Sequence, residues 1–194
     1  MGAGLTKQAR ILTEAQIKGA LATCSTHRNA ARDRAMVLLS VKAGLRACEI
    51  AALTWPMVTD AQGALADEIA LQNIASKGKR GGRVIPLNAD LKAALATVER
   101  TTLPHQRVIA GERGPLSANA VAAWFVRLYR GLGFDGCSSH SGRRTFITRA
   151  ARKVIEAGGS LRDVQELAGH SSLTETQRYI DGSASAKRKL VNLI

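Results

Sequence analysis

Residues 167–181 read LAGHSSLTETQRYID, a glycine–histidine pair followed nine residues later by Tyr179, one of only two tyrosines in 194 residues. Just upstream, Ser160 with Asp163 begins a helix over LRDVQELAG. LTETQRYI then makes one more short helix, so Tyr179 rides a helical turn behind a glycine–histidine corner. Two readings of it stand at this point. A tyrosine so placed packs the last helix onto the body as a half-buried aromatic, or it does chemistry.

The same grammar runs outward through the chain. HSGRRTFITRAARKVIEAGG reads as a helix closed by Gly158 and Gly159, and ANAVAAWFVRLYRGLG as one capped by Ser117 and ended by Gly131 and Gly133. Asn88 caps ADLKAALATVER, and Thr13 with Gln16 three residues on makes a capping-box start for a helix over about 14–24. NAARDRAMVLLSVKAG is apolar enough to be a buried helix stopping at Gly44, and LRACEIAALTW is a short helix ended before Pro56. The texture changes at DEIALQNIASKGKRGGRVIPL, where two β-prone runs flank a Gly- and Lys/Arg-rich centre: a hairpin with a basic tip. LPHQRVIAGERGP reads as a loop. The expectation is a mainly α domain with a small antiparallel β-sheet (α+β), single over residues 1–181. Residues 1–11 are a short arm and 182–194 a flexible polar tail with an apolar tip.

Composition narrows the function. With 28 Lys+Arg against 15 Asp+Glu the net charge is +13, a field that small-metabolite chemistry does not need and a polyanion partner does. Nineteen of the 28 are arginine, whose planar fork suits phosphate oxygens, and they are spread along the chain as on a folded surface. No segment approaches the roughly 18 apolar residues of a membrane span, and the N-terminus has no apolar signal core. A soluble, cytoplasmic protein is expected, with no membrane partner. Cys24, Cys48 and Cys137 are odd in number with no C-x-x-C pair, so neither a disulfide framework nor a metal site is indicated.

Cutting a phosphodiester without metal needs a nucleophile, cations on the non-bridging oxygens and an acid for the leaving 5′ oxygen. HSGRR puts His140 and Arg143 at i and i+3, on one face of a helix start where both could reach one phosphate, or where His140 merely caps beside a solvated Arg143. GLRACEI places Arg46 in an apolar neighbourhood with Glu49 three residues on, either a structural ion pair or an arginine pinned for use. SKGKRGGR is either a solvated basic turn or a tip that carries Lys77 to a scissile phosphate.

Taken in order, GLRACE, SKGKRGGRVIPL, HSGRRTF and LAGHSSLTETQRY resemble the four motif regions of the tyrosine recombinase, or phage integrase, family, over about residues 12–181. The resemblance implies the catalytic-domain fold of DNA breaking-and-rejoining enzymes. Position by position, it implies that Arg46 is the first catalytic arginine with Glu49 beside it, and that Lys77 is the general acid of the hairpin. His140 and Arg143 match His-x-x-Arg, His170 falls where His or Trp is usual, and Tyr179 is the nucleophile. Lys79, Arg80, Arg83 and Arg144 are then DNA contacts, and no metal or other cofactor is implied. The implied partners are double-stranded DNA and further copies of the chain, as a tetramer on two duplexes and a monomer or dimer without DNA. The implied origin is bacterial, phage or mobile-element.

Family members commonly carry an N-terminal core-binding domain, whereas only about eleven residues precede the first helix here. The tail, through Leu190, Val191, Leu193 and Ile194, is expected to dock on a neighbouring subunit or to fold back on its own domain. Two other activities share the fold: type IB topoisomerase-like relaxation, and DNA-binding regulation without catalysis.

Overall fold

A computed structural model describes residues 9–75, 82–100, 106–179 and 191–192. The chain divides into two compact units, Met1–Phe146 and Ile147–Ile194.

The N-terminal unit is built on a central helix. Helix α1 (Glu14–Ser25) starts at the capping box its sequence announces: the Thr13 hydroxyl accepts the Gln16 N–H at 3.2 Å and the Gln16 side chain accepts the Thr13 N–H at 2.9 Å. Helix α2 (Ala30–Lys42) buries every residue from Ala35 to Val41, which only a helix covered on all sides can do. It packs against α1, against α3 (Ala47–Ala52) and against α4 (Ala89–Ala96), the last capped by Asn88. Its one buried acid, Asp33, is held by His27 at 2.8 Å and by Arg32 at 2.7 Å, as a buried charge requires.

Helix α3 ends before Pro56, as read, and the chain turns through a 3-10 segment, Trp55–Met57. Strands β1 (Glu68–Leu71) and β2 (Arg83–Pro86) form the expected antiparallel hairpin, with Glu68 opposite Pro86 and Leu71 opposite Arg83. The segment read as a loop contains a second small ladder, β3 (Ala110–Gly111) with β4 (Gly114–Pro115). Helix α5 (Ala118–Gly131), capped by Ser117, turns Val121, Phe125, Leu128 and Tyr129 inward and packs on α3.

Helix α6 (Ser141–Lys153) begins in the first unit and ends in the second. It is shorter than its sequence suggested. The chain closes on itself after Lys153 through the Gly159 N–H to the Val154 carbonyl at 2.8 Å, at a β-branched Val154–Ile155 pair with low helix propensity. In the second unit α7 (Leu161–Ala168) starts on the Ser160–Asp163 capping box, with the Ser160 N–H donating to Asp163 at 2.7 Å, and packs on α8 (Leu173–Gln177). Among the described residues no helix is long and apolar enough to cross a membrane.

Candidate active site

The geometry of the first unit starts at Gly44. Its φ of +65° is left-handed, and a Cβ there would overlap the Phe146 ring, so only glycine makes this corner. The Leu45 N–H returns to the Leu39 carbonyl at 3.1 Å, closing α2 and setting Arg46 at the start of α3. The Gly44 carbonyl also accepts Arg143 Nη1 at 2.7 Å. Arg143 is 3% exposed, and the 44–46 turn therefore holds it and launches Arg46.

Glu49 organises the cations around it. Its carboxylate is fully buried and accepts four N–H donors, two per oxygen. Oε1 takes Arg46 Nη1 at 2.9 Å and Arg83 Nη1 at 3.0 Å; Oε2 takes the Arg46 backbone N–H at 2.8 Å and Arg83 Nη2 at 2.9 Å. Burial alone would raise this carboxyl, but the hydrogen bonds and charge of Arg83, and then those of Arg46, outweigh it and hold the pKa at about 2. Arg46 spends one guanidinium nitrogen on Glu49. Among the described residues its Nε and Nη2 have no hydrogen-bond partner, and the side chain is 20% exposed.

Arg83, expected as a DNA contact, places both terminal nitrogens on Glu49, with its side chain 9% exposed. The reason is the period of two along β2: Arg83 shares the inward face of buried Ile85, while Val84 points out.

His140 is exposed at the head of α6, with its carbonyl accepting the Arg144 N–H at 2.9 Å. It thus precedes buried Arg143 by one helical turn. Arg144 is half-buried. Lys77, Lys79 and Arg80 lie outside the described residues.

The second unit carries the tyrosine. Gly169, at φ +62°, is the left-handed cap of α7, and the His170 N–H returns to the Gln165 carbonyl at 3.1 Å. This corner turns His170 inward, where its Nδ1 and the buried Thr176 hydroxyl are hydrogen-bonded at 2.9 Å. The imidazole stacks on the Tyr179 ring, with centroids 5.3 Å apart and planes 25° from parallel. The Tyr179 carbonyl accepts the Thr148 hydroxyl at 3.2 Å. Tyr179 is half-buried. Thr176 and Thr148 were not singled out from the sequence, and a threonine on a short polar helix gives no signal of the histidine it holds.

The chain belongs to the phage integrase family, whose model matches residues 10–185. Among its relatives is the tyrosine recombinase XerC of Xylella fastidiosa (strain 9a5c), 32% identical over 151 residues, which are 76% of this chain and 48% of that protein. Another is the tyrosine recombinase XerC of Brucella suis biovar 1 (strain 1330), 32% identical over 157 residues, 77% of this chain and 46% of the relative. The chain spans about half the length of the curated relatives it matches. Among the solved structures that share the fold are an integrase and a recombinase. One is the Tn1549 transposon integrase in complex with a circular intermediate DNA (TM-score 0.73, 20% identity, 98% of this chain and 67% of that one). The other is the XerH site-specific recombinase in a post-cleavage complex with palindromic difH substrate (TM-score 0.73, 19% identity, 98% and 53%).

Proposed function

We propose that this chain is the catalytic part of a site-specific DNA recombinase that cleaves and rejoins strands through a 3′-phosphotyrosine intermediate. The observation that carries the reading is the His170–Tyr179 stack, with the imidazole pinned by Thr176. A tyrosine recruited only for packing has no need of a buried, hydrogen-bonded histidine against its ring. In the proposed step the Tyr179 oxygen attacks the scissile phosphorus, an O–P bond forms to tyrosine and the bond to the 5′ oxygen breaks. Lys77 supplies the proton to the leaving oxygen, and His140 takes part in removing the phenolic one. Arg46 and Arg143 offset the charge on the non-bridging oxygens, and His170 takes part in the same step. One phosphodiester is exchanged for another, so a free 5′-hydroxyl from a second duplex reverses the step without ATP.

Residues 1–181 act on this reading as one catalytic domain, in the cytoplasm, on double-stranded DNA and as four copies on two duplexes. Lys79, Arg80 and Arg144 contact the backbone. Residues 182–194 dock on a neighbouring copy, and removing residues 186–194 then abolishes pairing of sites while sparing cleavage; unchanged recombination by the truncated protein refutes that docking. The decisive experiment for the chemistry takes a duplex site selected from a randomised pool, nicks it beside the scissile phosphate and looks for a denaturation-resistant protein–DNA adduct. Wild type forms the adduct and Tyr179→Phe does not. An adduct persisting in that variant removes Tyr179 as nucleophile, and relaxation of supercoils without exchange of paired sites replaces recombination by topoisomerase activity.

A further inference from the structure

A carboxylate inside a phosphate-holding cluster looks self-defeating, because Glu49 offers Arg46 a permanent anion in place of the substrate. The two oxygens of a carboxylate present about four lone-pair sites, and all four on Glu49 are filled: two by Arg46, through its backbone N–H and Nη1, and two by Arg83. An arginine facing a carboxylate prefers the two-pronged grip of its planar fork. Arg46 is denied that grip, since Arg83 already occupies one site on each oxygen. Its Nε and Nη2 stay without a protein partner among the described residues.

We propose that Arg83 is a positioning residue for strand cleavage: by occupying both oxygens of Glu49 it restricts Arg46 to a single-pronged contact, leaving the rest of that guanidinium, and one net positive charge in the Arg46–Glu49–Arg83 group, for the scissile phosphate. The inference rests on the recombinase reading above. It assigns Arg83 no contact with DNA. Without Arg83, Glu49 has two empty lone-pair sites in a dry environment, Arg46 rotates to fill them, and the group becomes neutral.

The test measures the single-turnover rate of adduct formation on nicked DNA with either a normal scissile phosphate or a methylphosphonate, which lacks one non-bridging charge and so needs less cationic help. Losing one preorganised donor to a developing oxyanion slows a reaction ~10²-fold or more, and Arg83→Gln is expected to show a defect of about that size on phosphate. On methylphosphonate the gap between Arg83→Gln and wild type should shrink to below ~10-fold, because less charge remains for Arg46 to offset. A general folding lesion lowers both rates alike, so an equal defect on the two substrates overturns the proposal. Glu49→Gln combined with Arg83→Gln should cleave phosphate faster than Arg83→Gln alone, since a neutral amide no longer captures Arg46; a double variant no faster also overturns it. Should Arg83→Gln not fold, Arg83→Met, which likewise removes both the charge and the fork, is held to the same comparison. Failure of wild type to form an adduct on either substrate counts against the recombinase reading itself.

Discussion

Acid titration of Glu49 gives a test of the arginine cluster that needs no DNA. The carboxyl is fully buried and its pKa is lowered from 4.5 to about 2. At about 1.36 kcal/mol per unit, that shift contributes about 3 kcal/mol of folding stability at pH 7. The folded-state value lies below the unfolded one, so the contribution is complete above about pH 5 and is lost as pH falls through 4.5 toward 2. Integration puts the loss at about 2 kcal/mol between pH 7 and pH 3. Glu49→Gln is less stable at every pH, because it leaves two guanidinium groups facing an amide, but it lacks this titration. Other carboxylates that titrate in the same range, such as Asp67, drawn down by its hydrogen bond to Lys92, do so in both proteins and cancel in the difference. Both tryptophans, Trp55 and Trp124, lie in the N-terminal unit with Glu49, so urea unfolding followed by tryptophan fluorescence reports that unit. The gap between wild type and variant should narrow by about 2 kcal/mol from pH 7 to pH 3. A gap that stays constant, or widens in acid, refutes the saturated ion-pair cluster.

Three other substitutions probe separate links. The Tyr129 hydroxyl is buried and has no hydrogen-bond partner among the described residues, and burial pushes its ionisation well above the usual phenol range; Tyr129→Phe should therefore raise unfolding stability by about 1 kcal/mol, and an equal loss in a urea melt refutes the assignment. Gly44→Ala puts a side chain at φ +65° and into the Phe146 ring, and is expected to lose at least ~2 kcal/mol by the same melt; a change within ~0.5 kcal/mol shows that the corner is not needed. Thr176→Val keeps the shape but removes the hydroxyl from His170, so adduct formation should slow by about tenfold with DNA affinity unchanged; a rate equal to wild type shows that Thr176 does not orient the histidine.

The parts of the fold legible in the sequence are those decided within a few residues. Thr13 with Gln16, Asn88, Ser117 and Ser160 with Asp163 each start a helix as read, because a cap is a bond between a side chain and a backbone N–H two or three positions away. The hairpin was visible for the same reason. Arg46 and Glu49 are legible as a pair from their spacing, whereas Arg83 is 34 positions from Glu49, and spacing carries no information across that distance. A hint was present in the alternation of β2, where Arg83 stands two residues from Ile85, on the core-facing side. An arginine at an inward strand position needs an acid to meet it, and Glu49 was the acid already in hand. The early end of α6 and the two-residue β3–β4 ladder were missed because a turn that closes on Val154 and a ladder of four residues leave little periodic pattern to read.

If Arg46 holds the scissile phosphate as proposed, the cluster also explains how a long side chain is made ready for it before it arrives. An arginine loses about 2 kcal/mol of rotamer entropy when it is fixed, and an exposed one meets that loss only when substrate binds. Arg46 meets it on folding. Its backbone N–H and Nη1 are bonded to the same carboxylate, and the helix that carries Glu49 is the one Arg46 begins. Arg143 is fixed in the same way by the Gly44 carbonyl, two residues before Arg46. Fixing a donor in advance lowers a barrier only if the donor's charge survives the fixing. A carboxylate alone would fix Arg46 and cancel it; a carboxylate shared with Arg83 fixes it and leaves the Arg46–Glu49–Arg83 group with one positive charge. On the recombinase reading, the buried glutamate, which alone would oppose phosphate binding, serves it because a second arginine comes with it.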